Sequence, residues 1–277
     1  MLKKILGWFL PLAVLARVYF PTFVWMADRW LARDSYFGHG VLIPFISLYW
    51  VWRKRKELRV TPKRGEPWGF VLLGLGLGLQ IVSSLLQIYF LSAASLVLVL
   101  LGGVLFLFGR EVFKQVWYPI GFLLLMIPLP LLFISELTLK LKFFVTEVSV
   151  YCLQSMGIQA AREGSYLYLP HAYLIVGDPC SGLRSLLAFL CLGLVFSYGS
   201  GLNGWRRVVL IGAGFPLALV SNVGRVLFLA LVSELYGMNW AHGWIHDASG
   251  IAAFLFAILV FLAVRKKLEM TPAWMTR

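Results

Sequence analysis

The stretch Leu96-Val97-Leu98-Val99-Leu100-Leu101-Gly102-Gly103-Val104-Leu105-Phe106-Leu107-Phe108 decides the fold class. It carries no charge and does not alternate between apolar and polar residues. A membrane barrel strand does alternate, because one face meets lipid and the other the lumen. Extended back to Leu91, the run approaches the ~20 residues that an α-helix needs to cross a bilayer. Similar runs recur along all 277 residues, of which 60% are hydrophobic and 13% charged, with mean hydropathy +0.84. Soluble domains hold about 45–50% apolar and about 25% charged residues. This composition excludes an ordinary soluble domain, and its hydrophobicity excludes a disordered chain. The reading is an all-α integral membrane protein, since in lipid every backbone polar group must be satisfied within the protein.

Working outward, eight spans are expected, at roughly 5–27, 39–52, 68–87, 91–109, 115–134, 181–199, 206–232 and 250–264. They form one polytopic domain over 1–277, with no internal repeat. The first apolar run lacks a small-x-small cleavage site and is read as a retained span. The net charge of +13 does not point to nucleic acid, because the basic residues sit in short clusters between spans. Alternate loops hold Lys3 and Lys4, the cluster from Arg53 to Arg64, Arg110 and Lys114, Arg206 and Arg207, and Arg265 to Lys267 with Arg277. The opposite loops hold only Arg29, Arg33, Lys140, Lys142 and Arg162. By the positive-inside bias both termini are cytoplasmic, in the inner (cytoplasmic) membrane of a cell.

The long segment 135–179 then lies outside. Glu136–Met156 reads as a moderately amphipathic helix at the interface, with a short ninth span as the alternative. Tyr166–Val176 alternates around Pro170-His171 and reads as a small hairpin or two extended segments.

Three places carry chemistry. In Asp178-Pro179-Cys180-Ser181-Gly182-Leu183-Arg184, Asp178 suits an N-cap and Pro179 a first helical position. That places Cys180 in the first turn of span six, where the helix dipole and Arg184 one turn on favour thiolate over the opposing effect of burial. A buried inert thiol and a Cys152–Cys180 disulfide are the alternatives, and Cys191, deep in the span, reads as structural. In Ser221-Asn222-Val223-Gly224-Arg225, a cation lies inside a span, near the outer boundary and on one face with Asn222. A snorkelling or ion-paired structural Arg is the alternative. In His242-Gly243-Trp244-Ile245-His246-Asp247, on the outer loop entering span eight, a His supplies a proton carrier near neutral pH and Asp247 orients it. The His242/His246 spacing also suits a metal pair, but no third ligand accompanies it. His39 also lies outside and is a further candidate for the same cavity. The topology places Cys180, Arg225 and His246 at one level on one side. Thiol attack on a carbonyl needs those three types: nucleophile, proton shuttle and oxyanion donor. No cofactor or metal is called for.

At these residues the sequence resembles the exosortase/archaeosortase family of membrane transpeptidase-like enzymes. The likeness rests on Pro179-Cys180-Ser181-Gly182-Leu183-Arg184-Ser185, on Pro216 through Asn222 to Arg225-Val226, and on His246-Asp247-Ala248-Ser249-Gly250. Asp34 to Gly40 with Pro44 adds a weaker fourth element. The resemblance implies Cys180 as nucleophile, Arg225 as oxyanion-stabilising group and His246 as proton carrier. Arg184, Asn222, Asp247 and His39 are supporting positions, and His242 is not carried over. The implied partners are exported proteins with a C-terminal sorting signal: a short motif (Pro-Glu-Pro in many bacterial members), a transmembrane helix and a basic tail. The new C-terminus would pass to water or to an acceptor, a lipid or surface polymer such as an exopolysaccharide. Competing readings from composition alone are a transporter with Arg225 and His246 as ion-relay groups, and a non-enzymatic assembly protein of a secretion or polysaccharide complex.

Overall fold

The computed structural model describes residues 2–270 other than 34, 203, 238, 239, 241 and 242, with backbone only at 2–9, 12 and 179. Contacts divide the chain into two compact units, residues 1–130 and 131–277.

The first unit contains α1 (Leu2–Leu31), α2 (Ile43–Arg53), α3 (Arg55–Val60), α4 (Trp68–Leu85), α5 (Tyr89–Phe108) and α6 (Arg110–Phe122). The apolar run Leu96–Phe108 forms most of α5. α4 and α5 pack closely at Gly76 and Gly102. A Cβ on Gly76 would fall 2.8 Å from the Val99 side chain, and one on Gly102 would fall 2.4 Å from the Leu73 backbone. Gly74 and Gly78 face open space, so only the middle glycine of that triplet serves the contact.

α1 joins this pair through buried polar groups. Tyr19 and Ser95 hydroxyls are 2.9 Å apart, and those of Thr22 and Ser92 are 2.6 Å apart. Gln80 Oε1 on α4 accepts from Ser92 at 2.7 Å and Ser95 at 3.0 Å. Among apolar helices hydrophobicity gives no preference for protein over lipid, so such bonds and close packing supply the specificity. The Trp30 indole donates to the Met126 carbonyl at 2.7 Å and lies against Gly40, where a Cβ would meet its ring at 2.3 Å.

The second unit contains α7 (Leu131–Ser155), a three-stranded antiparallel sheet, α8 (Leu183–Gly199), α9 (Trp205–Tyr236) and α10 (Trp244–Met270). The sheet runs β1 (Ala161–Glu163), β2 (Tyr166–Tyr168), β3 (Tyr173–Ile175), with Leu167 opposite Leu174. Its alternation buries Leu167 and Leu174 and exposes Tyr166, Tyr168 and Tyr173. The inner face packs with Val145 and Leu153 of α7 and with Val226, Leu229 and Ala230 of α9. The His171 backbone N–H donates to Glu234 Oε2 at 3.1 Å and its Nδ1 lies 2.6 Å from Oε1. This clasp fixes the β2–β3 turn to the end of α9. The expected hairpin is therefore present and gains a strand.

Four described helices are each long and apolar enough to cross a membrane: α4, α5, α9 and α10. A broken pair raises the number to five. Eight uninterrupted spans are not found among the described residues, for identifiable reasons. The expected span 39–52 begins instead with a 3-10 turn (Gly38–Val41) and leaves α2 with 11 residues. The expected span 115–134 is divided at Pro128 and Pro130, which cannot donate to a helix and clash within it. α8 has 17 residues. The interfacial helix expected from Glu136 begins earlier, at Leu131.

Gln80→Leu removes the acceptor that two buried hydroxyls share. It is expected to lower the unfolding free energy in mixed micelles by about 1–2 kcal/mol, at ~0.6 kcal/mol per interhelical bond plus the hydroxyls left unpaired. An unchanged SDS-unfolding midpoint would contradict this role.

Candidate active site

The site is built within the second unit. Cys180 ends a 3-10 turn (Asp178–Cys180) that precedes α8. Gly182 follows at φ +82°, the left-handed region that disfavours any side chain, and α8 starts only at Leu183. This corrects the sequence expectation: Cys180 is not in the first turn of α8, and Cys180 and Arg184 do not share a helical face. Arg184 is exposed. Asp178 is not an N-cap either; the turn starts after Gly177 with no side-chain cap, and the Asp178 carboxylate pairs with Lys142 of α7 instead. The buried Ser181 takes over the capping work. Its hydroxyl donates to the Asp178 carbonyl at 2.8 Å and accepts from Leu183 N–H at 3.3 Å.

α9 holds this turn in place. Asn222 is buried, and its side-chain amide donates to the Cys180 carbonyl at 2.6 Å. A Cβ on Gly182 would fall 3.1–3.2 Å from the Asn222 side chain. Glycine at 182 thus meets two demands, the left-handed turn and the close approach of Asn222.

One turn along α9, Arg225 reaches α10. Its Nη2 donates to the His246 carbonyl at 2.9 Å and lies 3.3 Å from both ring nitrogens. Gly250, one turn after His246, leaves room for it: a Cβ there would be 2.9 Å from the guanidinium carbon. His246 Nε2 is 3.1 Å from Cys180 Sγ, although 66 positions separate them. Its Nδ1 is 3.4 Å from the exposed Asp247 carboxylate. His246 was expected on a loop; it lies instead in the first turns of α10, which begins at Trp244. The helix gives its ring a fixed direction.

The structure therefore brings together Cys180, Arg225, His246, Asn222 and Asp247. His39 lies in the first unit, half-buried, with its ring in hydrogen-bonding reach of the Leu125 carbonyl. Asp34 and His242 lie outside the described residues. Cys152, Cys180 and Cys191 are all free thiols, which removes the Cys152–Cys180 disulfide. Lys142 was missed as a site residue; the available signal was the pair Lys140 and Lys142 within the otherwise apolar run Leu139–Val145.

The electrostatics differ from the sequence expectation as well. Cys180 is 4% exposed. Burial pushes its thiol above the ordinary range, and the Arg225 cation pulls it down by a smaller amount. The Cys180 sulfur and His246 Nε2 are within hydrogen-bond distance, and Nδ1 faces Asp247. Burial thus disfavours a stored thiolate at Cys180.

A turn carrying a thiol, a helix carrying an imidazole and a second helix bracing both define a thiol–imidazole site. The chain belongs to the transmembrane exosortase family, whose model matches residues 25–263 and so takes in every residue of this site. No curated protein and no solved structure matches the chain.

The thiol's reaction with a small methanethiosulfonate reagent follows the thiolate fraction. With the thiol raised, the rate is expected to climb about tenfold per pH unit from pH 6 to 8 and to level off only above the ordinary thiol range. Arg225→Gln raises the thiol further and slows the reaction at pH 8 by about tenfold. A rate already flat below pH 7 would contradict this assignment.

Proposed function

We propose that the chain is a cysteine endopeptidase and transpeptidase that cleaves C-terminal sorting signals of exported proteins at the outer face of the cytoplasmic membrane. The observation that carries this reading is the 3.1 Å approach of Cys180 Sγ to His246 Nε2, with Arg225 braced against the same imidazole. The Lys/Arg asymmetry supports an orientation with both termini inside and this site outside.

In this mechanism Cys180 passes its proton to His246 Nε2 as sulfur attacks the scissile carbonyl. Arg225, set against the same imidazole, stabilises the oxyanion as it develops. Collapse breaks the C–N bond. His246 returns the proton to the departing amine, which leaves with the transmembrane tail, and the exported protein remains as a thioester on Cys180. A nucleophile then gives its proton to His246 and attacks the thioester. Water yields a free carboxylate; an amine or hydroxyl of a lipid or surface polymer yields the transferred product. Cys180 regains its proton at the end. Asn222 acts as a positioning residue through the Cys180 carbonyl, and Asp247 holds the Nδ1–H tautomer.

Cells carrying Cys180→Ala or Arg225→Ala are expected to accumulate uncleaved substrate while the enzyme still inserts; normal processing in Cys180→Ala cells would contradict the nucleophile assignment. Gly250→Ala separates geometry from stability. The alanine favours the helix by about 1 kcal/mol yet displaces the guanidinium. Processing is expected to fall about tenfold or more with thermal stability unchanged or raised. Full activity in Gly250→Ala would show that the Arg225 position is not needed.

A further inference from the structure

α9 and α10 part along one side to leave an apolar groove of about 710 Å³. Its floor is made of small residues, Ser221 and Gly224 on α9 with Ala248, Ala252 and Ala253 on α10. The Ser221 hydroxyl donates to the Ala253 carbonyl at 2.8 Å, which fixes the two helices at the floor. The rims are large and exposed: Val220 and Phe228 on one side, Phe256 on the other. Along α9 the lining runs from Leu217 to Phe228, about 16 Å at 1.5 Å per residue. That is roughly half of a ~30 Å hydrocarbon core. Arg225 lines the outer third of the groove and also touches His246, so the groove is continuous with the site.

We propose that this groove is the docking site for the transmembrane helix of the substrate, entered sideways from the bilayer. The inference rests on the peptidase reading above and names where that enzyme holds the part of the substrate it does not cut. Three observations favour a helix over a lipid chain. A Cβ on Gly224 would meet no described atom within 4 Å. Glycine there serves no contact within the described chain, unlike Gly182 and Gly250, and the space above it is open to a second molecule. A floor without large side chains lets another helix backbone approach closely, whereas an acyl chain gains little from such a floor. The outer third of the groove also carries Arg225, with Phe228 beyond it. A helix filling it brings the residues at its outer end to the guanidinium and to Cys180, which is where a scissile bond must lie. The fitting helix presents Leu, Ile or Phe toward the small floor, between the aromatic rims.

The test uses an exported reporter ending in a Pro-Glu-Pro motif, a leucine-rich helix and a Lys/Arg cluster. It is co-expressed with full-length Cys180→Ala enzyme carrying a photo-cross-linking amino acid at Val220 or, as control, at Leu259, which is exposed on α10 outside the groove. Val220 is expected to cross-link to the reporter helix and Leu259 not. Gly224→Leu and Ala252→Leu, which fill the floor from either helix, are expected to lose the cross-link. In the Cys180 enzyme they should also lose cleavage but keep wild-type reaction of Cys180 with methanethiosulfonate. Cross-linking of Val220 to phospholipid alone, or equal labelling from Leu259, in cells whose unmodified enzyme cleaves the reporter overturns the groove and leaves the peptidase reading standing. Cross-linking without cleavage keeps the groove and overturns the peptidase reading; neither one overturns both.

Discussion

A guanidinium set into an apolar helix costs several kcal/mol unless the protein satisfies it, and the arrangement around Cys180 follows from how Arg225 is satisfied. Its bond to the His246 carbonyl draws α10 against α9. Gly250 admits the guanidinium to that surface. With Arg225 in place the His246 ring is braced from one side and can face Cys180 on the other. Asn222, one turn back on the same helix, holds the Cys180 backbone. Asn222 and Arg225 on one face of α9 therefore position two otherwise unrelated segments, the turn before α8 and the start of α10.

Much of this was legible in the sequence, because charged and polar residues inside apolar runs are expensive and so stand out. The three motifs were found that way, and the structure gives each fixed position a physical reason. Gly182 supplies the left-handed turn and Gly250 the space for Arg225. Other features were not legible. The 3-10 turn at Cys180 could not be told from a helical start, since Asp178-Pro179 suits either, and the choice depends on Lys142, 36 positions away in sequence and in salt-bridge contact. The expected fifth span failed at Pro128 and Pro130, which were visible but outweighed by the surrounding leucines. Helix lengths such as that of α2 were set by local turns, which hydropathy averages away.

The burial of Cys180 bears on its reactivity. A thiolate held ready at the membrane surface would react with any small electrophile. Here burial pushes the Cys180 thiol up, and His246 Nε2 lies 3.1 Å from its sulfur. The sheet above the site contributes to that burial, since Leu167, Leu174 and Val176 close over the same cluster as Cys180, and the His171–Glu234 clasp ties it to α9.

The central claim is that Cys180 forms a thioester with the exported protein. Hydroxylamine intercepts thioesters, so mass spectrometry of the released N-terminal product, formed by purified enzyme in its presence, tests the claim most directly. The account predicts a C-terminal hydroxamate whose share rises with hydroxylamine and which disappears with Cys180→Ala. Cleavage that continues in Cys180→Ala, or a product carrying only a free carboxylate at saturating hydroxylamine, would contradict it.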